Sequence, residues 1–451
     1  MNTLYAGFGR VNVNPMMGID IVGYFKVRKA EAVLDDLQIN ALALGCGDTK
    51  VILLSIDNCS FPKNLMDEYR NHISEVTGVP YEGILIHATH THTGPSLRIK
   101  PDQEPDELVQ EYRLFVYHRM ADVAAEAIAD MKPAKMGYAV GHAPNIAFVR
   151  RFRMKDGSVK TNPGVNNPDI LEPIGEVDER VNVLRFDQEG GKSLVLVNFG
   201  NHPDTVGGSK ISCDWPGFVR SSVEQALDNT RCVFFNGAQG DVNHVNVHPT
   251  GGYLNDMFMD FDDVARGYKH AQFVGRVVTG AVMQVYDKVY YQDVDSIRYT
   301  QRLLNIPSNM PKPEEMPEAR RINELHLAGK DSELPYEGMM LTTMVADAAR
   351  KVRLEHGPEF FPMNLTGIAI GNVAIAGIPG EPFTGIGRGL KKAEGWELVL
   401  PMCLTNGSQG YFPMRDSYDE GGYEARTCNF KAGVAELIIE EGTKMLDGLR
   451  G

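Results

Sequence analysis

The side chains best suited to chemistry in this 451-residue chain stand directly after apolar runs. His87-Ala-Thr-His90-Thr-His92-Thr-Gly-Pro95 follows the run Gly83–Ala88. In extended chain, residues i and i+2 share a face. His90 and His92 are therefore expected to point the same way at the C-terminal end of a strand, with His87 on the other side in a structural role. Imidazole is the commonest zinc ligand. One histidine here would read as a core residue; two on one face before a Thr-Gly-Pro turn favour a metal. Asn201-His202-Pro203-Asp204 follows a second run, Ser193–Phe199, and makes His202 the next candidate. Asn, Pro and Asp also favour turns for backbone reasons alone. After Arg231–Phe235 comes the glycine-rich Asn236–Asn246, whose backbone N–H groups could approach a ligand. Asp241, Asn243 and His244 make that turn polar enough to line a site. Ile378-Pro-Gly-Glu381-Pro-Phe-Thr384 follows Asn372–Gly377 and puts a carboxylate at another strand end. Arg388, about two helical turns on, is either a substrate clamp or a surface charge. Tyr411 and Tyr423, 12 positions apart among glycines, are either site groups or packing anchors.

These segments need a scaffold that gathers strand ends. Val51–Ile56, Gly83–Ala88, Ser193–Phe199, Arg231–Phe235 and Asn372–Gly377 are continuous apolar runs, as in a sheet covered on both faces. Asn64–Thr77, Asp106–Met131, Trp215–Asp228 and Phe273–Asp287 have helical periodicity, and Pro133 closes the second. Mixed strands and helices predict an α/β fold: a mixed sheet core covered by helices. Open α/β sheets bind ligands at the carboxyl ends of their strands, where these residues lie. The stretch from Asn305 to Val352 is Pro-rich and then charged and helical, and reads as a helical insertion near 305–352. No linker or repeat divides the chain, so a single domain over 1–451 is expected.

Charge narrows the partners. The 59 acidic against 45 basic side chains give a net charge of −14, which opposes binding to nucleic acid or an anionic membrane. No secretory leader and no apolar stretch of about 18 residues is evident. The six cysteines are scattered without a CxxC pair, which predicts reduced, mostly buried thiols and a cytoplasmic protein. The partner expected is a small-molecule substrate, with no nucleic acid and no stable membrane association; oligomeric state is not legible.

Taken in order, the five segments resemble the catalytic domain of the neutral (non-lysosomal) ceramidases, zinc amidases that split the N-acyl bond of ceramide. His90-Thr-His92-Thr-Gly-Pro95 is similar to the family's H-T-H-[ST]-G-P turn, whose first histidine ligates zinc and whose second faces substrate. Asn201-His202-Pro203 resembles its His-Pro turn, and Gly380-Glu381-Pro-Phe-Thr384 its Gly-Glu-x-x-Thr motif. The family's two site tyrosines, 12 positions apart, match Tyr411 and Tyr423. Ser212-Cys-Asp-Trp-Pro-Gly217 and the opening segments Gly7-Phe-Gly-Arg10, Gly23-Tyr-Phe and Asp35–Asn40 also look like the family. The resemblance implies His90, His202, Glu381 and Tyr411 as zinc ligands, with His92 and Tyr423 facing the substrate. Asn145–Arg150 is a looser match to the family's substrate segment and implies Arg150 as a substrate contact. Two departures stand out. Asn243 occupies the family's serine position, so serine chemistry is absent there. The chain also ends without the family's immunoglobulin-like domain, and ceramide itself is not the substrate expected.

The mechanism this implies needs no serine. A bound zinc would lower the pKa of a water and polarise a carbonyl. Tyr423 and His92 would donate to the developing oxyanion, and His92 or His244 would protonate the leaving group. Arg150, Arg151 or Arg388 could clamp a carboxylate on the substrate, with Asn243 and Asp241 lining a polar pocket. Amide, ester and lactone bonds all fit. A zinc-dependent isomerase and a non-catalytic small-molecule binder remain as alternatives. The His, Glu and Tyr donor set suits zinc, with iron and manganese as further options.

Overall fold

The computed structural model describes residues 2–25, 27–99, 106–253 and 255–450. Nine strands form a large mixed sheet: β1 (Leu4–Asn12), β2 (Gln38–Cys46), β3 (Thr49–Ile56), β4 (Ile84–Ala88), β5 (Lys132–His142), β6 (Arg180–Gln188), β7 (Ser193–Phe199), β8 (Thr230–Asn236) and β9 (Tyr290–Gln292). The order is β8-β7-β6-β5-β1-β2-β3-β4, with β9 against β5. Four further strands, β10 (Ile297–Pro307), β11 (Phe360–Ile370), β12 (Val373–Gly377) and β13 (Leu398–Met402), form a second sheet in that order.

Side-chain alternation explains how the sheets stack. In β3, Val51 and Leu53 join one apolar core while Ile52, Leu54 and Ile56 join another. In β7, Leu194 and Leu196 take the first side and Val195, Val197 and Phe199 the opposite one. The same period of two runs through β12: Val373 and Ile375 on one face, Ala374 and Ala376 on the other. The shared core joins the two sheets face to face. Helices cover the outer faces. α1 (Lys63–Thr77) and α2 (Glu107–Ala129) pack on one half of the large sheet, α3 (Asp214–Ala226) and α4 (Tyr268–Val285) on the other. α5 (Met316–Leu327) and α6 (Gly338–Leu354) form a pair with its own small apolar core. α7 (Thr384–Leu390) and α10 (Val434–Asp447) cover the second sheet; α8 (Ser417–Glu420) and α9 (Tyr423–Thr427) are short. The fold is thus mixed α/β, as expected, with two stacked sheets between helical layers. Among the described residues no helix is long and apolar enough to cross a membrane.

Several boundaries differ from the sequence reading. α2 ends at Ala129, and Pro133 lies inside β5 rather than closing a helix. α4 begins at Tyr268, before the expected Phe273. Asn305–Pro307 completes β10 in an antiparallel pairing with β11, so the inserted helices start only after that strand.

Within these two sheets three strand pairs run parallel: β3 with β4, β7 with β8, and β12 with β13. Each is joined through a helix, since parallel neighbours need a crossover. Their carboxyl ends lead to His90, His202, the Asn236–His244 turn, Glu381 and Tyr411.

Candidate metal centre

β4 stops at Ala88, and His90 has φ +79°. The i, i+2 argument in extended chain therefore does not describe this segment. A left-handed turn, held by His90 N–H donating to the Asn58 carbonyl, brings His90 and His92 together instead. Their Nε2 atoms lie 3.3 Å apart. Gly23 packs under His92: its φ is +110°, and a Cβ there would sit 2.8 Å from the ring. Only glycine meets both demands.

His90 Nε2 lies 3.1 Å from His202 Nε2 and 3.2 Å from Glu381 Oε2, and His202 Nε2 is 3.7 Å from the same oxygen. All three residues are buried, and together they form a group that could hold a metal ion. The opposite ring nitrogens are tied back. His90 Nδ1 donates to the Cys59 carbonyl at 2.7 Å and His202 Nδ1 to the Gln239 carbonyl at 3.2 Å. That fixes the tautomer and turns both Nε2 lone pairs inward, the usual support for a metal-binding histidine. Two lone pairs and a carboxylate so close repel unless a cation joins them. Their spacing also suits one: ligand atoms about 2.0–2.1 Å from a tetrahedral zinc stand about 3.3 Å apart. The buried groups also perturb one another. Burial alone would lower His90, but Glu381 and Cys59 lift it well above its ordinary value. Burial would raise Glu381, but His90 and Arg150 hold it below the usual range. Burial, with Arg150 and His90, pushes His202 well down. A second group, Cys59 with His90 and His92, also has metal-ligand spacing. It shares His90, whose Nδ1 is already used by the Cys59 carbonyl, so the His90–His202–Glu381 group fits an ion better.

Tyr411 is brought beside Glu381 because Glu381–Pro382 and Tyr411–Phe412 pair in parallel, Glu381 opposite Tyr411. Burial and the Glu381 carboxylate raise its phenol well above the ordinary value, against the pull of Arg150. The Tyr423 ring lies 5.7 Å from that of Tyr411. Arg150 lies 5.5 Å over the Tyr411 ring, forms a 2.7 Å ion pair with Glu424 and donates to the Gly240 carbonyl.

Two carboxylates escaped the sequence reading. Asp204 Oδ1 lies 3.4 Å from His92 Nδ1 and is itself held by both Arg266 (2.7 and 2.9 Å) and the Tyr24 hydroxyl (2.6 Å). Burial would raise Asp204, yet Arg266 and His92 keep it well below the carboxylate range. Burial pushes His92 down to about 3 despite Asp204. Glu424, fully buried, pairs with Arg150 and accepts from Thr161 at 2.8 Å. Asp204 stands two residues after His202, a proximity that was available in the sequence; Glu424 carried no comparable signal.

The remaining candidates are placed differently. Asp241 accepts from the Thr384 N–H (2.7 Å) and hydroxyl (2.9 Å), so it braces the loop carrying Glu381; burial raises it to about 6. Asn243 donates to Asn162 at 2.8 Å and accepts from the Val245 N–H. His244 stands outside the metal group: its Nε2 donates to the Ala265 carbonyl at 2.7 Å. Arg388 is paired with Glu176, and Arg151 with Ser417 and Glu420. His87 is buried against Ser55 and accepts from the Asn236 N–H at 3.0 Å.

No family model matches the chain, and no curated protein matches it. Among solved structures, the neutral ceramidase from Pseudomonas aeruginosa aligns with a TM-score of 0.73 at 15% identity, over 99% of this chain and 74% of that one. A ceramidase complexed with C2 aligns with a TM-score of 0.71 at 13% identity, over 99% and 75%. At such identities the likeness is one of fold. The chain therefore has a neutral ceramidase-like fold over 99% of its length.

Proposed function

We propose that this protein is a zinc-dependent hydrolase of an amide, ester or lactone bond in a small polar acyl compound other than ceramide. The observation that carries it is the convergence of His90 Nε2, His202 Nε2 and the Glu381 carboxylate, edges 3.1–3.7 Å, with both imidazoles tied back to backbone carbonyls. His90, His202 and Glu381 would hold the ion, with Tyr411 as fourth ligand. When bound, such an ion polarises a carbonyl and acidifies water.

The chain's own residues supply the rest. His92 Nδ1 faces Asp204, while its Nε2 points to the metal group, 3.3 Å from His90 Nε2, where it would take a proton from the attacking water. Asp204, anchored by Arg266 and Tyr24, steadies the imidazolium that results. The same Nε2 then returns the proton to the leaving atom; of the two histidines offered for that role, His244 has its Nε2 engaged by the Ala265 carbonyl, which favours His92. The Tyr423 phenol donates to the oxyanion, and loss of such a donor costs about 2.7–4 kcal/mol. No nucleophilic serine takes part, consistent with Asn243 being committed to Asn162. The six buried, unpaired thiols support a cytoplasmic location as part of the same proposal.

The test is a screen of N-acyl, ester and lactone compounds with the zinc-loaded protein in ¹⁸O-labelled water. Label is expected in the carboxylate product. Turnover without label would replace hydrolysis by isomerisation, and stoichiometric zinc without turnover would leave a binder. Asp204→Asn is expected to lower kcat by about 10²-fold or more, the usual range for general acid–base catalysis, while metal content stays at wild-type level. An unchanged kcat would remove His92 from the reaction.

A further inference from the structure

A cavity of about 420 Å³ is walled in part by Tyr423, whose ring lies 5.7 Å from that of Tyr411. Thr161 and Asn162 stand beside Tyr423, tied to Glu424 and Asn243 respectively. The wall farther out carries Met339 and Met340 at the start of α6, with Lys160 and Arg426.

The charges around this cavity sort into matched and unmatched. The arginines that the sequence offered as carboxylate clamps are all engaged: Arg150 with Glu424, Arg151 with Glu420, Arg388 with Glu176. Of the acidic residues in the wall, Glu420 is balanced by Arg151 and Arg153, and Asp263 accepts from the Met339 N–H. Lys160 and Arg426 are exposed, and neither forms an ion pair or side-chain hydrogen bond with the described residues. Asp263 and Glu337, both set against the start of α6, have no cationic partner among the described residues. Lys160 and Arg426 are the wall cations left to meet an anionic group of a ligand.

Their placement bears on the substrate. Arg426 follows Tyr423 by three residues on α9, about 4.5 Å of helix rise and on the same face. A group held by Arg426 therefore lies next to one held by Tyr423. The guanidinium fork suits a carboxylate, which it binds through two parallel hydrogen bonds. The methionines offer an adaptable apolar wall for an acyl chain.

We propose that Lys160 and Arg426 form an anion subsite, and that the substrate is an acyl compound with a carboxylate close to the bond cleaved, of the N-acyl amino acid class. The proposal rests on the hydrolase reading above. The reaction balances without a further reactant: the water oxygen bonds to the acyl carbon, the C–N bond breaks, and one water proton passes to the departing nitrogen.

The experiment uses N-acylglycines of increasing acyl length, each beside its uncharged N-acylglycinamide, with the full zinc-loaded chain. The wild type is expected to favour the carboxylates by about tenfold or more in kcat/KM, with the preference shrinking between about 20 mM and about 500 mM salt. In Lys160→Gln/Arg426→Gln the ratio falls towards one, mainly through KM. Both positions are exposed, and thermal melting checks that the variant is folded. Equal use of charged and uncharged members by the wild type, or a preference the double variant keeps, overturns the subsite. Calorimetric titration with the N-acylglycines separates the two readings. With no turnover, binding that weakens in the double variant upholds the subsite and discards hydrolysis. No binding, or binding the double variant matches, discards the subsite.

Discussion

A His90→Ala protein is expected to emerge from purification with its metal lost, against about one zinc per wild-type chain, and with hydrolysis at background. His90 Nε2 faces His202, Glu381 and His92 at 3.1, 3.2 and 3.3 Å, so removing it takes away the atom common to the three shortest edges. Loss of a supporting group around a metal typically weakens affinity by about 10–100-fold. Loss of this ligand is expected to exceed that. The backbone is a fair host for the change, because the φ of +79° already lies where any non-glycine residue is strained. His87→Gln is the control. His87 is buried three residues away but bonds to Ser55 and the Asn236 N–H, so that variant is expected to lose stability and keep its zinc. Elemental analysis of the three proteins reads the result. A wild type without metal, or a His90→Ala chain that retains it, would end the metal assignment and leave a likeness of fold alone.

How far the sequence reached depended on whether a signal was local. β7 coincides with the predicted Ser193–Phe199, because a run buried on both faces is apolar throughout. β6, with Arg180, Arg185 and Asp187 among its apolar residues, carries no such run and was not predicted. Pro133 read as a helix stop, although a strand begins at Lys132. That two sheets share one core was not legible, since alternation within a strand does not say what packs against either face. The candidate site followed the same division. His90, His202 and Glu381 follow the ends of β4, β7 and β12, Tyr411 pairs in parallel beside Glu381, and parallel pairing gathers these segments. His90 and His92 converge as expected, but through a left-handed turn that the spacing could not reveal. Asn243 and His244 were expected to share a pocket. Val242–Asn243 is a two-residue strand and the chain bends at His244, which separates the two side chains: Asn243 bonds to Asn162, His244 to the Ala265 carbonyl. Arg388 matches Glu176, a partner more than 200 residues earlier that no spacing rule could supply.

The same long reach makes Glu424 the most consequential residue that the sequence did not single out. Its carboxylate has no exposure to solvent and stands 2.7 Å from Arg150 Nε, while Thr161 donates to its other oxygen at 2.8 Å. Glu424→Ala would leave the Arg150 guanidinium buried, with the Gly240 carbonyl and the Tyr411 hydroxyl as remaining partners but no counter-charge at that distance. Breaking such a pair costs about 3–5 kcal/mol, mostly through the stranded charge. The variant is therefore expected to unfold at markedly lower temperature and denaturant concentration than the wild type. It is also expected to lose turnover, since Arg150 lies over the Tyr411 ring and Glu424 adjoins Tyr423. A double variant separates the two effects. Arg150→Met/Glu424→Leu removes both charges and keeps apolar bulk, and such replacements are often neutral or stabilising. It should recover most of the stability but not the activity, because the Tyr411 ring then loses the Arg150 guanidinium that lies over it. A Glu424→Ala chain as stable as wild type would show that solvent reaches Arg150. A double variant that regained full turnover would show that the pair serves the fold alone and leaves the two tyrosines to position themselves.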